Sequence, residues 1–123
     1  MIGFDTSGRL SIQTLGNNGL YATSLIFGTV SLYNWTHVGM TYSIANGIQL
    51  FVNGSLANKN NTYRSYTASG QMNTLIIGSC VQWSACALNQ TQIVPSQFRG
   101  KIDELKIFSR ELSVNEVQQL AQG

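Results

Sequence analysis

Residues 35–54 read WTHVGMTYSIANGIQLFVNG, and this stretch decides the fold class. Apolar side chains alternate with small or polar ones after the tryptophan, which is the two-residue period of a strand with one buried face. An Asn-Gly pair stands at each end of the apolar run at residues 48–52, and Asn-Gly accepts the positive φ values of tight hairpin turns. The stretch therefore predicts antiparallel strands at residues 35–42 and 48–52, bounded by turns.

Weaker signals of the same kind lie on both sides of this stretch. A third Asn-Gly pair, Asn18-Gly19, follows another run with alternating apolar residues. Three further strands are predicted, at residues 9–15, 75–77 and 101–108. Polar composition predicts loops at residues 58–70 and 79–97. Short strands separated by turn signals are typical of an all-β sandwich or barrel.

One helix is predicted near the carboxyl end of the chain. Ser113 and Glu116 have the spacing of a capping box, in which each side chain satisfies a free backbone N–H group at the helix start. Leu112 and Val117 are placed to form the apolar contact that accompanies this motif. We therefore expect a helix from Val114 to about residues 119–121, packed against the sheets because about two turns are marginal alone.

The composition indicates a single domain with few charges. The chain has 123 residues, enough for one core, and only 10% of them are charged, with a formal net charge of +2. This charge is too small to hold a nucleic-acid backbone, and no apolar run is long enough to cross a membrane. Residues 10–58 contain no Asp, Glu, Lys or Arg, which is typical of the polar, uncharged surface of an extracellular β-protein.

Cysteines and glycosylation motifs also favour an extracellular location. Cys80 and Cys86 are predicted to form a local disulfide, and the alternative is a pair of free buried thiols. A zinc site is excluded, since the sequence has a single histidine and two thiolates leave tetrahedral coordination incomplete. The candidate glycosylation sites are Asn60 and Asn89, predicted in loops, and the less favourably placed Asn53 and Asn34.

Five short motifs occur in the order that a known family shows. They are WTHV at residues 35–38, LFVNG at 50–54, LIIG at 75–78, FRGKIDEL at 98–105 and RELS at 110–113. Together they resemble the laminin G-like jelly rolls of the concanavalin A-like lectin and glucanase superfamily. The resemblance implies an all-β, antiparallel two-sheet jelly-roll sandwich with a short C-terminal helix, forming one domain over residues 1–123.

The amino terminus departs from the family, which usually begins with several further strands. We expect the domain to lack these first strands, either because the sequence is part of a larger protein or because another chain supplies the missing strand. In the second case, strand addition between copies would build an assembly. The resemblance thus implies a secreted or cell-surface module within a larger protein.

The carboxylates of the chain give no catalytic pair. Glucanases of the superfamily use two carboxyl groups that flank the glycosidic bond. Asp103 and Glu104 are adjacent, so strand alternation predicts that they point to opposite faces and cannot share a substrate. The chain is therefore predicted not to be an enzyme. The resemblance implies that Asp103 helps to hold a structural calcium ion, and the alternative is that Asp103 accepts backbone hydrogen bonds at a strand bend.

Aromatic side chains in loops are the candidate ligand contacts. Trp83, Tyr63 and Tyr66 are platforms of the kind that stack on sugars or anchor protein contacts. If Val38 and Met40 enter the core, strand alternation predicts that His37 lies on an open sheet face, where it would also meet a ligand. The alternative is that His37 is a neutral, hydrogen-bonding surface residue without a ligand. Trp35 is expected to pack in the core.

These features predict an extracellular, non-catalytic recognition module that binds a glycan or a protein through its loops and sheet face. The alternative is a structural subunit of an extracellular filament or matrix, assembled by strand pairing between chains. Neither nucleic acid nor membrane insertion is expected, and structural calcium is the only cofactor that the resemblance implies.

Overall fold

A computed structural model of the chain describes residues 1–15, 22–62, 75–78, 93–94 and 96–123. Its first sheet is antiparallel and has the strand order β1-β2-β3. The strands are β1 (Ile2–Phe4), β2 (Leu10–Leu15) and β3 (Ala22–Ile26). Asp5 stabilises the turn between the first two, because its carboxylate accepts 2.9 Å hydrogen bonds from the backbone N–H groups of Ser7 and Arg9.

The second sheet is an antiparallel meander. Its strands are β4 (Val38–Ser43), β5 (Gly47–Val52) and β6 (Ser55–Asn60). The β5–β6 turn is the predicted Asn53-Gly54 pair, with φ values of 49° and 75°, as a type I′ turn requires. In the β4–β5 turn, Ser43 pairs with Gly47, so three residues form the loop and the turn is not a two-residue type I′ turn. Gly47, the first residue of β5, has a φ of 68°.

The two sheets enclose an apolar core between them. The buried core residues are Leu10, Ile12 and Leu25 from the first sheet and Ile48, Leu50 and Val52 from the second. A hydrogen bond also joins the sheets, since the Asn58 side-chain amide donates to the Ile26 carbonyl oxygen at 2.8 Å. The structure thus confirms the predicted all-β sandwich of two antiparallel sheets.

A short helix covers the other face of the second sheet. This helix, α1 (Val114–Gln122), begins where the capping box predicts. Phe51 of β5 and Val117 of α1 are both buried. A Cβ placed on Gly39 would lie 3.5 Å from the Phe51 Cβ and 3.5 Å from a Val117 methyl carbon. The helix therefore packs against the second sheet, including β6, as a third layer.

Several elements differ from the sequence predictions. Residues 75–77 and 101–108 form no strand, because their backbone has no ladder partner in the described part of the chain. Strands β1 and β3 were not predicted, and β6 includes residues 58–60, where polar composition predicts a loop. These strands form through pairing with a neighbouring strand, which single-residue preferences do not report.

The capping box gives a first testable prediction. The Glu116 backbone N–H donates to the Ser113 hydroxyl at 3.3 Å, and the Ser113 backbone N–H donates to the Glu116 carboxylate at 2.8 Å. Ser113→Ala removes one of these caps, so we expect the free energy of unfolding to fall by about 1 kcal/mol. Urea denaturation measures this loss. Ser109→Ala, at an exposed serine outside the helix, is the control, and an equal loss in both variants would contradict the prediction.

Candidate functional site

An open cleft of about 370 Å³ lies where the loop before β4, the β5–β6 turn and residues 103–104 meet the end of α1. The side chains that give it its chemistry are Trp35, His37, Asn53, Asp103 and Glu104. The cleft thus combines an aromatic group with an amide, an imidazole and two carboxyl groups. A few convergent polar groups beside an apolar surface are typical of ligand-binding sites.

Two hydrogen bonds fix one wall of the cleft. The His37 backbone N–H donates to Asn53 Oδ1 at 3.0 Å, and the Asn53 backbone N–H donates to the His37 carbonyl oxygen at 2.9 Å. Asn53 takes part in both hydrogen bonds while its backbone lies in the left-handed region, a conformation that asparagine tolerates better than most residues. The sequence motif that makes the hairpin turn therefore also positions the residues next to Trp35.

Trp35 is 68% exposed, so the prediction that it packs in the core is wrong. The ladder of β4 begins at Val38, and strand alternation does not extend back to residue 35. Val38 itself packs against the core. The Trp35 indole N–H makes no hydrogen bond with any described residue. The indole therefore presents to the cleft an apolar face and a donor that no described residue uses.

Asp103 and Glu104 line the same cleft, which corrects the prediction that they face apart. Glu104 has a left-handed φ of 52°, so side chains do not alternate here as they would along a strand. Its backbone N–H donates to Asp103 Oδ1 at 2.8 Å, the backbone role that the sequence left as an alternative to calcium binding. A hydrogen bond and ion pair of 2.6 Å with Lys106 lowers the pKa of Glu104.

His37 lies on the helix-covered face of the second sheet, so the prediction of an open sheet face is wrong. A Cβ placed on Gly39 would lie 3.6 Å from the His37 Cε1 atom and 3.5 Å from a methyl carbon of Val117. His37 and the helix residue Val117 therefore lie on the same face of the sheet. Burial, and then the positive charge of Lys106, lowers the pKa of His37. The imidazole is therefore neutral at neutral pH, and His37 adds no positive charge to the cleft.

A second cleft, of about 300 Å³, lies on the other side of Glu104 and is lined by charged residues. Arg110 donates to both carboxylate oxygens of Glu116, at 2.6 and 3.1 Å. The hydrogen bonds from Arg110 and Ser113 lower the pKa of Glu116 to about 2. Because the charges of Arg110, Glu116, Lys106 and Glu104 are paired with one another, the cleft beside Trp35 is the better candidate site.

The sequence-predicted site residues are divided between described and masked parts of the chain. Asn34 is exposed, and Asn60 is half-buried, with Oδ1 accepting a hydrogen bond from Thr62 within its own glycosylation motif. Asn53 is exposed and held by His37. Six predicted residues lie outside the described residues: Tyr63, Tyr66, Cys80, Trp83, Cys86 and Asn89. Their roles stay predictions, as does glycan attachment at any position.

The calcium site at Asp103 also stays a prediction. A calcium ion takes six to eight oxygen ligands. Of the oxygens near Asp103, the Glu104 carboxylate binds Lys106 and Asn53 Oδ1 accepts from His37. In the described ranges no three or more His, Cys, Asp or Glu side chains are grouped to hold a metal ion. The described residues therefore do not complete a calcium site at Asp103.

Comparison with protein families identifies the fold. A laminin G family model, described as the concanavalin A-like lectin/glucanases superfamily, matches residues 1–118. The chain belongs to this superfamily. The match confirms the resemblance carried by the WTHV, LFVNG and FRGKIDEL motifs. A comparison with curated proteins found no match.

One solved structure similar to this superfamily member is an S-layer domain-containing protein from Clostridium thermocellum ATCC 27405. The two have a TM-score of 0.62 and 25% sequence identity. The alignment covers 98% of this chain and 61% of that chain, so this chain spans less than two thirds of the solved structure. Within the described ranges, no helix has the length and apolar character needed to cross a membrane.

Proposed function

We propose that this chain is an extracellular, non-catalytic recognition module that binds a glycan or protein ligand in the cleft beside Trp35. The observation that carries the proposal is the 68% exposure of this tryptophan at the edge of a polar cleft. Exposing a large aromatic side chain to water is unfavourable, and tryptophan is among the residues most enriched where binding energy concentrates. Trp35 is thus the expected anchor for a ligand.

The carboxyl groups of the cleft support binding rather than catalysis. A glycosidase needs a general acid whose pKa is raised, usually by burial, so that it is protonated near neutral pH. Both Asp103 and Glu104 are exposed, and Lys106 lowers the pKa of Glu104. Glu104 therefore lacks the protonation state that an acid catalyst requires. Measurable hydrolysis of a glycan by the purified chain would contradict this part of the proposal.

The extracellular location is supported by the comparisons and by the sequence. The similar solved structure is named as an S-layer domain-containing protein, and S-layers lie at the cell surface. The superfamily match, the uncharged stretch of residues 10–58 and the glycosylation motifs agree with this location. We expect the module to act as part of a secreted or surface protein.

The proposal predicts that Trp35→Ala weakens ligand binding at least about tenfold, because truncating an aromatic anchor commonly removes this much affinity. The measurement is binding to a glycan array and to a panel of purified extracellular proteins. Tyr33→Ala is the matched control, since Tyr33 is a fully exposed aromatic residue that does not line the cleft. Trp83→Ala and Tyr63→Ala on the same arrays test the loop aromatic residues.

Neither variant of the control pair should change the melting temperature, because both side chains are exposed. Equal binding by Trp35→Ala and Tyr33→Ala would contradict the assignment of the cleft. Absence of any glycan or protein ligand would contradict recognition as the function.

A structural subunit is the second candidate, and one observation favours it. Ile102, Leu105 and Ile107 are each more than half exposed, on a segment without a ladder partner among the described residues. A segment without a ladder partner that exposes apolar side chains is a surface to which another strand can add. Concentration-dependent polymers, formed by a chain that binds nothing on either array, would favour this function over recognition.

A further inference from the structure

Among the described residues, those that line the cleft beside Trp35 and bear a charge are both acidic. Asp103 and Glu104 line it, and none of its described lining residues is a lysine or an arginine. Lys106 approaches Glu104 and pairs with its carboxylate at 2.6 Å. No basic side chain pairs with Asp103 in the described ranges. Within the described part of the chain, the Asp103 carboxylate is therefore the charge of the cleft that no basic side chain compensates.

One oxygen of this carboxylate is held by a hydrogen bond, and the other has no partner among the described residues. Oδ1 accepts the Glu104 backbone N–H at 2.8 Å, which orients the side chain. Oδ2 makes no hydrogen bond with any residue that the structure describes. A charged acceptor held in one orientation binds a cationic donor more strongly than it binds a neutral one. Asp103 thus favours an ammonium group over a hydroxyl group.

Asn53 and Trp35 add two further kinds of contact. Asn53 Oδ1 is used by the His37 backbone N–H, so its Nδ2 group is left to donate hydrogen bonds to a ligand. The exposed indole of Trp35 offers an apolar surface for a ring and a face that attracts cations. A pyranose ring that bears an amine uses all three groups, because it has an apolar C–H face, hydroxyl acceptors and a positive charge.

We infer that the ligand of this cleft is a saccharide with a free amine, whose ammonium group binds Asp103 while its ring stacks on Trp35. The inference rests on the proposed function and names the ligand class of the same site. The cleft volume of about 370 Å³ exceeds that of a single lysine or arginine side chain and accommodates a sugar ring with its substituents.

The test uses the full chain and three hexasaccharides that differ in one substituent: glucosamine, N-acetylglucosamine and glucose oligomers with the same β-1,4 linkage. Dissociation constants are measured by calorimetry at a pH where the amine is protonated. We expect the glucosamine oligomer to bind at least about fivefold more tightly than the other two at low ionic strength, as an exposed charge pair allows. The preference should decrease as salt screens the pair.

Asp103→Asn isolates the charge, because it keeps an acceptor oxygen at the same position. We expect this variant to lose the preference for the glucosamine oligomer while keeping its melting temperature, since Asp103 is exposed. Glu111→Gln is the matched control, because it changes the net charge equally at a carboxylate outside the cleft. Glu111 accepts a hydrogen bond from Asn46, which glutamine also accepts, and this control should keep the preference.

The outcomes separate the inference from the proposed function. Tighter binding of the N-acetylated or glucose oligomer, or a preference that survives in Asp103→Asn, would overturn the inference and leave glycan recognition standing. A Trp35-dependent protein ligand with no saccharide binding would also overturn it and leave recognition standing. The proposed function itself would be contradicted by a separate result: Trp35→Ala binding the ligands on the arrays as tightly as the unmodified chain does.

Discussion

Phe51→Ala is expected to lower the free energy of unfolding by about 3–5 kcal/mol, because removing a buried phenylalanine ring loses its burial and leaves a cavity. Phe51 has no exposed surface and lies between β5 and the helix, where Val117 is also buried. The ring therefore joins α1 to the second sheet. Chemical denaturation followed by far-ultraviolet circular dichroism measures both the lost stability and the loss of helix.

Val114→Ala is the control for this experiment. Val114 lies on the same helix but is 46% exposed, so its truncation is expected to change the free energy of unfolding by no more than about 0.5 kcal/mol. A loss below about 1 kcal/mol for Phe51→Ala, well under the usual cost of such a truncation, would show that the layer between sheet and helix contributes little to the fold.

Gly47→Ala has the second largest expected effect. Gly47 has a φ of 68°, and a Cβ at this position would overlap the backbone carbonyl oxygen of Asn60 on β6. The substitution therefore adds a left-handed penalty and forces two paired strands apart, together about 2–5 kcal/mol. Thermal and urea denaturation measure the loss.

Gly8→Ala separates these two costs. Gly8 has a φ of 72°, but a Cβ there would meet nothing within 4 Å. We expect this variant to show the left-handed penalty alone, about 1–2 kcal/mol. If Gly47→Ala cost no more than Gly8→Ala, the close approach of β5 and β6 at this turn would not be a constraint on the fold.

Local signals explain which parts of the fold the sequence predicts. The β4–β5 hairpin and the β5–β6 turn are predicted because alternation and Asn-Gly pairs act over a few neighbouring residues. The start of α1 is predicted because Ser113 and Glu116 satisfy each other directly. Strand β6 reads SLANKN and is missed, because its structure comes from pairing with β5 and not from its own preferences.

The candidate site is predicted less well than the fold. Trp35 is misplaced because the alternating pattern predicts a strand from residue 35, whereas β4 begins three residues later, at Val38. The shared cleft of Asp103 and Glu104 depends on one left-handed backbone angle, and nothing in an Asp-Glu pair reports that angle. His37 is misplaced because its sheet face is covered by α1, a contact between residues far apart in the chain. The positions of these side chains depend on contacts between distant parts of the chain, and such contacts leave no local pattern in a single sequence.

The reciprocal hydrogen bonds between His37 and Asn53 separate the stability of this region from the side chains exposed on it. They anchor the preceding loop through backbone atoms and one turn asparagine, while Trp35 and Asp103 contribute nothing to the interior. Substitutions at these two exposed positions are therefore expected to change the free energy of unfolding by no more than about 0.5 kcal/mol. The backbone that forms the cleft thus does not depend on the side chains that the cleft presents to solvent.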